Sequence, residues 1–215
     1  MWNLLNKEFR LVISPVYFLI TLFGALLLIP QWVFFIAPMY ILFIALPNII
    51  QYSKTQKDIE FTLLLPVRKG DAVRSRILAI AILETAQVLV TAIFAALNIT
   101  LYHTPNFFID PNVAYIGCVF AMFGVFNAVF FPMLYKTAYK LAVPLITALT
   151  LTILFAAGIE FLVVSVPAAT RVLDGISRDA LIGQIPVLAG GAAAFMLLTW
   201  FSIRVAVRRF ERVNL

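Results

Sequence analysis

Four polar side chains share one face of a single apolar run: Glu84, Gln87, Thr91 and Asn98, spaced by three, four and seven residues. At 3.6 residues per turn such spacing makes a stripe along one side of a helix. A carboxylate and three hydrogen-bonding groups in a hydrophobic helix face other protein or a watery cavity, not hydrocarbon. One use for them is to line a substrate pathway or a subunit interface, with Asn127 of a later run reaching across to them. The other is structural, with Glu84 pairing to a nearby cation such as Arg76 and fastening the helix end. Glu160, in a later run, has Arg171 or Arg178 as its expected partner.

Other chemistry is missing. "VRKGDAVRS" lacks the spacing and the Lys-Ser/Thr ending of a phosphate-binding loop, so this chain does not bind ATP by that mechanism. There is no HExxH, and His103 is the sole histidine, so no metal centre and no catalytic residue are expected. The single cysteine, Cys118, excludes an intrachain disulfide and reads as a small apolar side chain. No internal repeat supports an inverted-repeat transporter.

The elements that position these residues follow from composition. Of 215 residues, 63% are apolar and 12% charged, and mean hydropathy is +1.03; water-soluble domains have about 45–50% apolar and ~25% charged residues. The expected fold is all-α and integral to a membrane. A span needs about 20 apolar residues, and six segments qualify: 11–29, 32–50, 77–101, 113–134, 141–164 and 185–205. Pro30 and Gln31 alone separate the first two, which predicts a tight hairpin. Pro38 and Pro144 are expected to kink their helices and free carbonyls for other partners.

Charge distribution sets the orientation. Fourteen of the 16 Lys and Arg residues fall in residues 1–10, 51–76, the "YKTAYK" loop and the C-terminal end, whereas the alternate loops hold only Arg171 and Arg178. The positive-inside rule then predicts both termini and the 51–76 loop to be cytoplasmic. The net charge of +6 thus reflects membrane topology and does not point to nucleic acid. Residues 1–10 read as an interfacial amphipathic helix, Trp2, Leu5 and Phe9 sharing a face while Lys7 and Arg10 reach for headgroups; no cleavable signal is expected. In the outer segment 165–184, Leu173, Ile176, Leu181 and Ile182 recur among charges, which predicts one or two short amphipathic helices or, as the alternative, a polar loop.

The stretch "DIEFTLLLPVRKGDAVRSR" is too short to span and is flanked by charge. A helix over 52–65 puts Phe61, Leu64 and Leu65 on one side, with Lys54, Lys57, Asp58 and Glu60 around the rest. Pro66 ends it, Gly70 turns, and Asp71 is an expected N-cap for the third span. The object is a short helix tethered to two spans, either passive on the inner leaflet or gripped by a partner.

"IEFTLLLPVRKGDAVRSRIL" resembles the cytoplasmic loop of ABC-2-type transporter permeases, with matching positions at Glu60, Leu65, Pro66, Val67, Arg68 and Arg76. Six spans, both ends inside and an extended outer segment before the last span extend the likeness over the whole chain. Its length is similar to that of the small permeases linked to export of phenol-soluble modulins and other amphipathic or antimicrobial peptides. The resemblance implies the membrane subunit of an ATP-driven exporter in the cell membrane of a bacterium. Two permease chains, identical or related, would surround a pathway, and two separate ATPase subunits would bind ATP and Mg. The helix near residues 57–65 would be the coupling helix, with Lys57, Asp58, Glu60, Phe61, Leu64, Leu65 and Pro66 meeting the ATPase. The alternative is the substrate-binding S-component of an energy-coupling-factor importer, also six-spanning, although the first run lacks the Ala-xxx-Ala such proteins use.

Overall fold

The computed structural model describes residues 2–64, 66–102, 106–136 and 140–212, and for residues 59, 60 and 63 the backbone alone. Among the described residues every regular element is helical. The chain opens with α1 (Trp2–Lys7) and a π-helical turn, Glu8–Val12. Pro15 has no N–H to continue a helix, and the chain bends there by 76° into α2 (Val16–Ile20) and a 3₁₀ run, Thr21–Leu28. Residues 29–35 then turn, with Gln31 at φ 57°, so the predicted two-residue hairpin is a longer connection.

The second span is continuous but irregular: α3 (Ile36–Tyr40), a π segment Ile41–Ala45, and α4 (Leu46–Thr55). Pro38 and Pro47 supply no N–H here, which removes two rungs of regular winding. The carbonyl of Phe34, freed by Pro38, accepts the Tyr115 hydroxyl at 2.9 Å. Pro144, by contrast, is third in its helix, where an N–H would have no intrahelical partner, and it makes no kink.

A short α5 (Asp58–Leu64) precedes α6 (Lys69–Leu101). Thereafter come α7 (Val113–Lys136), α8 (Ala142–Ser165), the short α9 (Pro167–Leu173) and α10 (Arg178–Gly183), and α11 (Ile185–Glu211). Five helices are long and apolar enough to cross a membrane; the bent N-terminal pair qualifies only if counted as one span. α6 begins eight residues before the expected third span, because the extended residue Arg68 starts it. Arg68 makes no side-chain cap, and Asp71 lies inside the first turn, paired to Arg74 at 3.3 Å, not at the N-cap. Segment 165–184 thus holds two short helices, as expected, and is not an irregular loop.

Residues 2–12, 53–64, the start of α6 and the ends of α7 and α11 gather at one face of the bundle, which we call the terminal face. Gly70 packs on Val207 and Glu211 there, and Arg209 donates to the Pro132 carbonyl at 2.7 Å. The opposite face holds residues 29–35, 106–112 and 165–184.

The core is centred on α7, whose Tyr115, Phe123, Phe126, Phe130, Phe131 and Tyr135 are fully buried. Its closest neighbour is α11, and glycine makes this possible. A Cβ at Gly117 would lie 2.6 Å from the Val187 carbonyl oxygen, and one at Gly191 would run into the Gly117 backbone. In lipid, where no hydrophobic force drives helices together, such close packing contributes to association beside interhelical hydrogen bonds. Replacing Gly191 by alanine should therefore push α11 from α7 and lower thermal stability in detergent. Gly158→Ala, with nothing within 4 Å of its Cβ, should be neutral or stabilising by up to about 1 kcal/mol.

Candidate functional site

The predicted continuous helix over 52–65 is broken in two. α4 ends at Thr55, and Lys57 takes the left-handed φ of 49°, so the chain reverses before α5. Asp58 opens α5 and Thr62 follows four residues later, hence both point the same way, toward the protein. Phe61 and Leu64 point the other way and lie open, 64% and 84% exposed. Pro66 is exposed beside them and Lys57 is exposed in the turn. Leu65 and the side chain of Glu60, both expected on this surface, lie outside the described residues, as does His103. A cleft of about 220 Å³ opens between Phe61, Asp58, Tyr52 and the Leu11–Val12 turn.

The inward side of α5 is held by charge. Arg76, about two turns into α6, is buried with its guanidinium donating to Glu8 (2.6 and 3.2 Å), to the Ser53 hydroxyl and to Asp58. Lys7 donates to Asp58 at 2.9 Å and to Thr62 Oγ1 at 2.8 Å, and stands 3.3 Å from Glu8. Two cations and two carboxylates thus close a neutral cluster. A guanidinium's planar fork suits this role, since its N–H groups reach several acceptors at once. The cluster ties four elements: the N-terminal turn, the end of the second span, α5 and α6. The expected Arg76–Glu84 pairing does not form.

Lys7, expected at the headgroups, turns inward, and Arg10 alone of the two is exposed. Leu5 and Phe9 pack on the core while Trp2 is 77% exposed, so the three do not share one environment. Glu8, Ser53 and Thr62 were missed by sequence reasoning. Glu8 carried a signal, being the only carboxylate before Asp58.

The polar stripe divides. Glu84 Oε2 accepts from Asn127 Nδ2 at 2.7 Å; the same amide donates to Thr199 Oγ1 at 3.2 Å, and Ser202 donates to the Asn127 carbonyl at 2.6 Å. This node joins α6, α7 and α11. Gln87 and Asn98 instead donate to carbonyls of the first span, Thr21 at 3.4 Å and Leu27 at 2.5 Å, and Gln87 also donates to Thr91 Oγ1 at 3.3 Å. All five residues are buried within one chain. Thr199 and Ser202 gave no sequence signal beyond being hydroxyls in an apolar helix.

At the opposite face, Glu160 meets no arginine: its Oε2 accepts the Ile109 N–H at 3.0 Å. Asp110 N–H donates to Asp174 Oδ1 at 2.9 Å, and Asn106 N–H donates to Asp110 Oδ1 at 2.8 Å. Burial pushes the Asp110 carboxyl up to about 6, the Asn106 N–H opposing and the facing Asp174 carboxylate adding to the rise.

Long apolar helices around a buried polar node, with no cluster of metal-ligating side chains among the described residues, define a multi-pass integral membrane protein. Residues 3–211 match the family described as ABC-2 family transporter protein, and the chain belongs to that family. It is accordingly a permease, the membrane component of an ABC transporter, a family distinct from the S-components. No curated protein and no solved structure matches the chain.

Two outcomes follow from the charges. Arg76→Leu strands Glu8 and Asp58 in a buried site and should destabilise by on the order of 3–5 kcal/mol; thermal unfolding in detergent measures it, and Arg76→Lys should lose less. For Asp110, a raised folded-state value means that its contribution to stability is present at acid pH and lost as pH rises through about 6. The wild-type melting temperature should therefore fall between about pH 4 and 6.5, and Asp110→Asn, which mimics the protonated acid, should flatten that fall.

Proposed function

We propose that the chain is the membrane-spanning half of an ATP-driven exporter, with α5 as the helix through which a separate ATPase drives it. The carrying observation is the division of α5 into an anchored side, Asp58 and Thr62, and an open apolar side, Phe61 and Leu64. Exposed apolar side chains on a helix only seven residues long have little value in water unless a partner covers them. The ionic anchoring gives a partner something rigid to push. The fourteen cations on the terminal-face loops support a cytoplasmic terminal face, where an ATPase with its ATP and Mg is available.

In this reading two permease chains, identical or related, flank a pathway in a bacterial cell membrane. Closure of the paired ATPases moves α5, and with it α4 and α6, so that the pathway opens or is squeezed. Apolar spans with few polar groups suit an amphipathic peptide or lipid-like cargo entering from the inner leaflet. The stripe from Glu84 to Asn98, with Asn127, enters as the scaffold behind the pathway, its side chains being engaged by the first span and by α7 and α11. Lys57, Asp58, Glu60, Leu65 and Pro66 frame the docking surface around Phe61 and Leu64.

Phe61→Asp is the test. Membrane insertion and thermal stability should be unchanged, because the side chain is already open. Co-purification of an ATPase, or the dependence of its hydrolysis on the permease, should be lost. Normal association and normal coupling in this variant would sink the docking role.

A further inference from the structure

The first span is wound in an uncommon way. Thr21–Leu28 forms eight residues of 3₁₀ helix, and such runs seldom exceed three or four residues because their hydrogen bonds are poorer than those of an α-helix. Burial along it repeats in threes: Thr21, Gly24 and Leu27 are buried, while Leu22 and Phe23 between them are 54% and 38% exposed. Three is the 3₁₀ period. In α winding each step of three falls about 60° short of a full turn, so Leu27 would face about 120° away from Thr21. The face that meets α6 exists only in the stretched form.

What α6 offers to that face is specific. Gln87 Nε2 donates to the Thr21 carbonyl and Asn98 Nδ2 to the Leu27 carbonyl, near the two ends of the run. Between them Gly24 lies against α6, where a Cβ would sit 3.3 Å from Val90 and Phe94 side chains and 3.4 Å from the Thr91 backbone nitrogen. The two amides are eleven residues apart, about 16 Å along α6. The two carbonyls are six residues apart, about 12 Å in 3₁₀ winding but only ~9 Å in α winding. Stretching brings the acceptors toward the spacing of the donors.

We propose that Gln87 and Asn98, with Gly24 between them, lock the first span in its stretched winding, and that release lets it rewind as α-helix. Rewinding eight residues shortens the span by about 4 Å and turns its far end by about 160°. The near end is tied to the terminal face through Glu8 and Arg76, and the far end to residues 106–109 through the Trp32 carbonyl and Gln31. The change is therefore transmitted across the bundle. This device needs no partner protein and stands whether or not α5 binds an ATPase.

The experiment is a distance measurement on the full chain in lipid nanodiscs, with Cys118→Ala as background. Spin labels replace Val16 and Ile29, which are 60% and 46% exposed, so they bracket the run without entering the core. The wild-type distance should match the mixed winding, about 24 Å of rise against ~20 Å for a continuous α-helix. Gln87→Leu with Asn98→Leu should shorten it by about 4 Å, while Ile93→Ala, on the exposed side of α6, should not. Should the double variant fail to fold, Gly24→Ala is measured instead; its methyl wedges the 3₁₀ face from α6 and should shorten the distance likewise. A wild-type distance at the α-helical value overturns the proposal, and so does an unchanged distance in whichever of the two variants is measured.

Discussion

A guanidinium taken out of water has to place its N–H groups on acceptors, because leaving such a charge unpaired costs several kcal/mol. Arg76 is buried, and α6 alone cannot satisfy it. Its acceptors come from Glu8, Ser53 and Asp58, which lie 68, 23 and 18 residues away in the chain. Meeting that demand draws the N-terminal turn, the end of the second span and α5 to one spot. The orientation of α5 follows, since Asp58 and Thr62 must face the cluster and Phe61 and Leu64 are thereby left outside. The open apolar surface is in this sense a by-product of an ionic one.

The rest of the bundle obeys the same bookkeeping in a solvent with no hydrogen bonds to lend. Irregular backbone is tolerated in a membrane protein only where protein side chains meet the freed groups. Asn98 takes the Leu27 carbonyl near the end of the 3₁₀ run, Tyr115 takes the carbonyl that Pro38 leaves, and Arg209 reaches Pro132. Glycines do the complementary task, bringing α7 and α11 close enough for backbone to touch backbone. Polar side chains that would suggest a water-lined route are thus largely fastenings, and large apolar side chains dominate the exposed sides of α8 and of α11 up to Phe201.

Much was legible beforehand. Apolar run length predicted five of the spans and, if the bent N-terminal pair is counted as one, the sixth, since hydrocarbon thickness imposes it. Pro66 separated α5 from α6, whereas Gly70, read as a turn, lies in the first turn of α6. The 3.6-residue spacing correctly put Glu84, Gln87, Thr91 and Asn98 on one face of α6. Partners were harder. Arg76 and Glu84 are two turns apart and looked suited to each other, yet Arg76 turned to Glu8 and Asp58 while Glu84 turned to Asn127. Arg171 and Arg178 looked suited to Glu160, which is held by a backbone N–H instead. Helical periodicity says which side chains share a face but not which neighbouring helix that face meets.

Composition and span length were enough for the fold class and for a short helix between the second and third long helices, because the membrane acts on each segment separately and its demands are local. Neither the 76° bend at Pro15, inside a segment read as one span over 11–29, nor the 3₁₀ winding beyond it followed from run length, since an isolated apolar segment such as Thr21–Leu28 would favour α-helix. That winding, the neutral cluster around Arg76 and the node at Asn127 arise where donors on one helix meet acceptors on another. Their geometry belongs to the packed bundle, and no single stretch of sequence contains both halves of it.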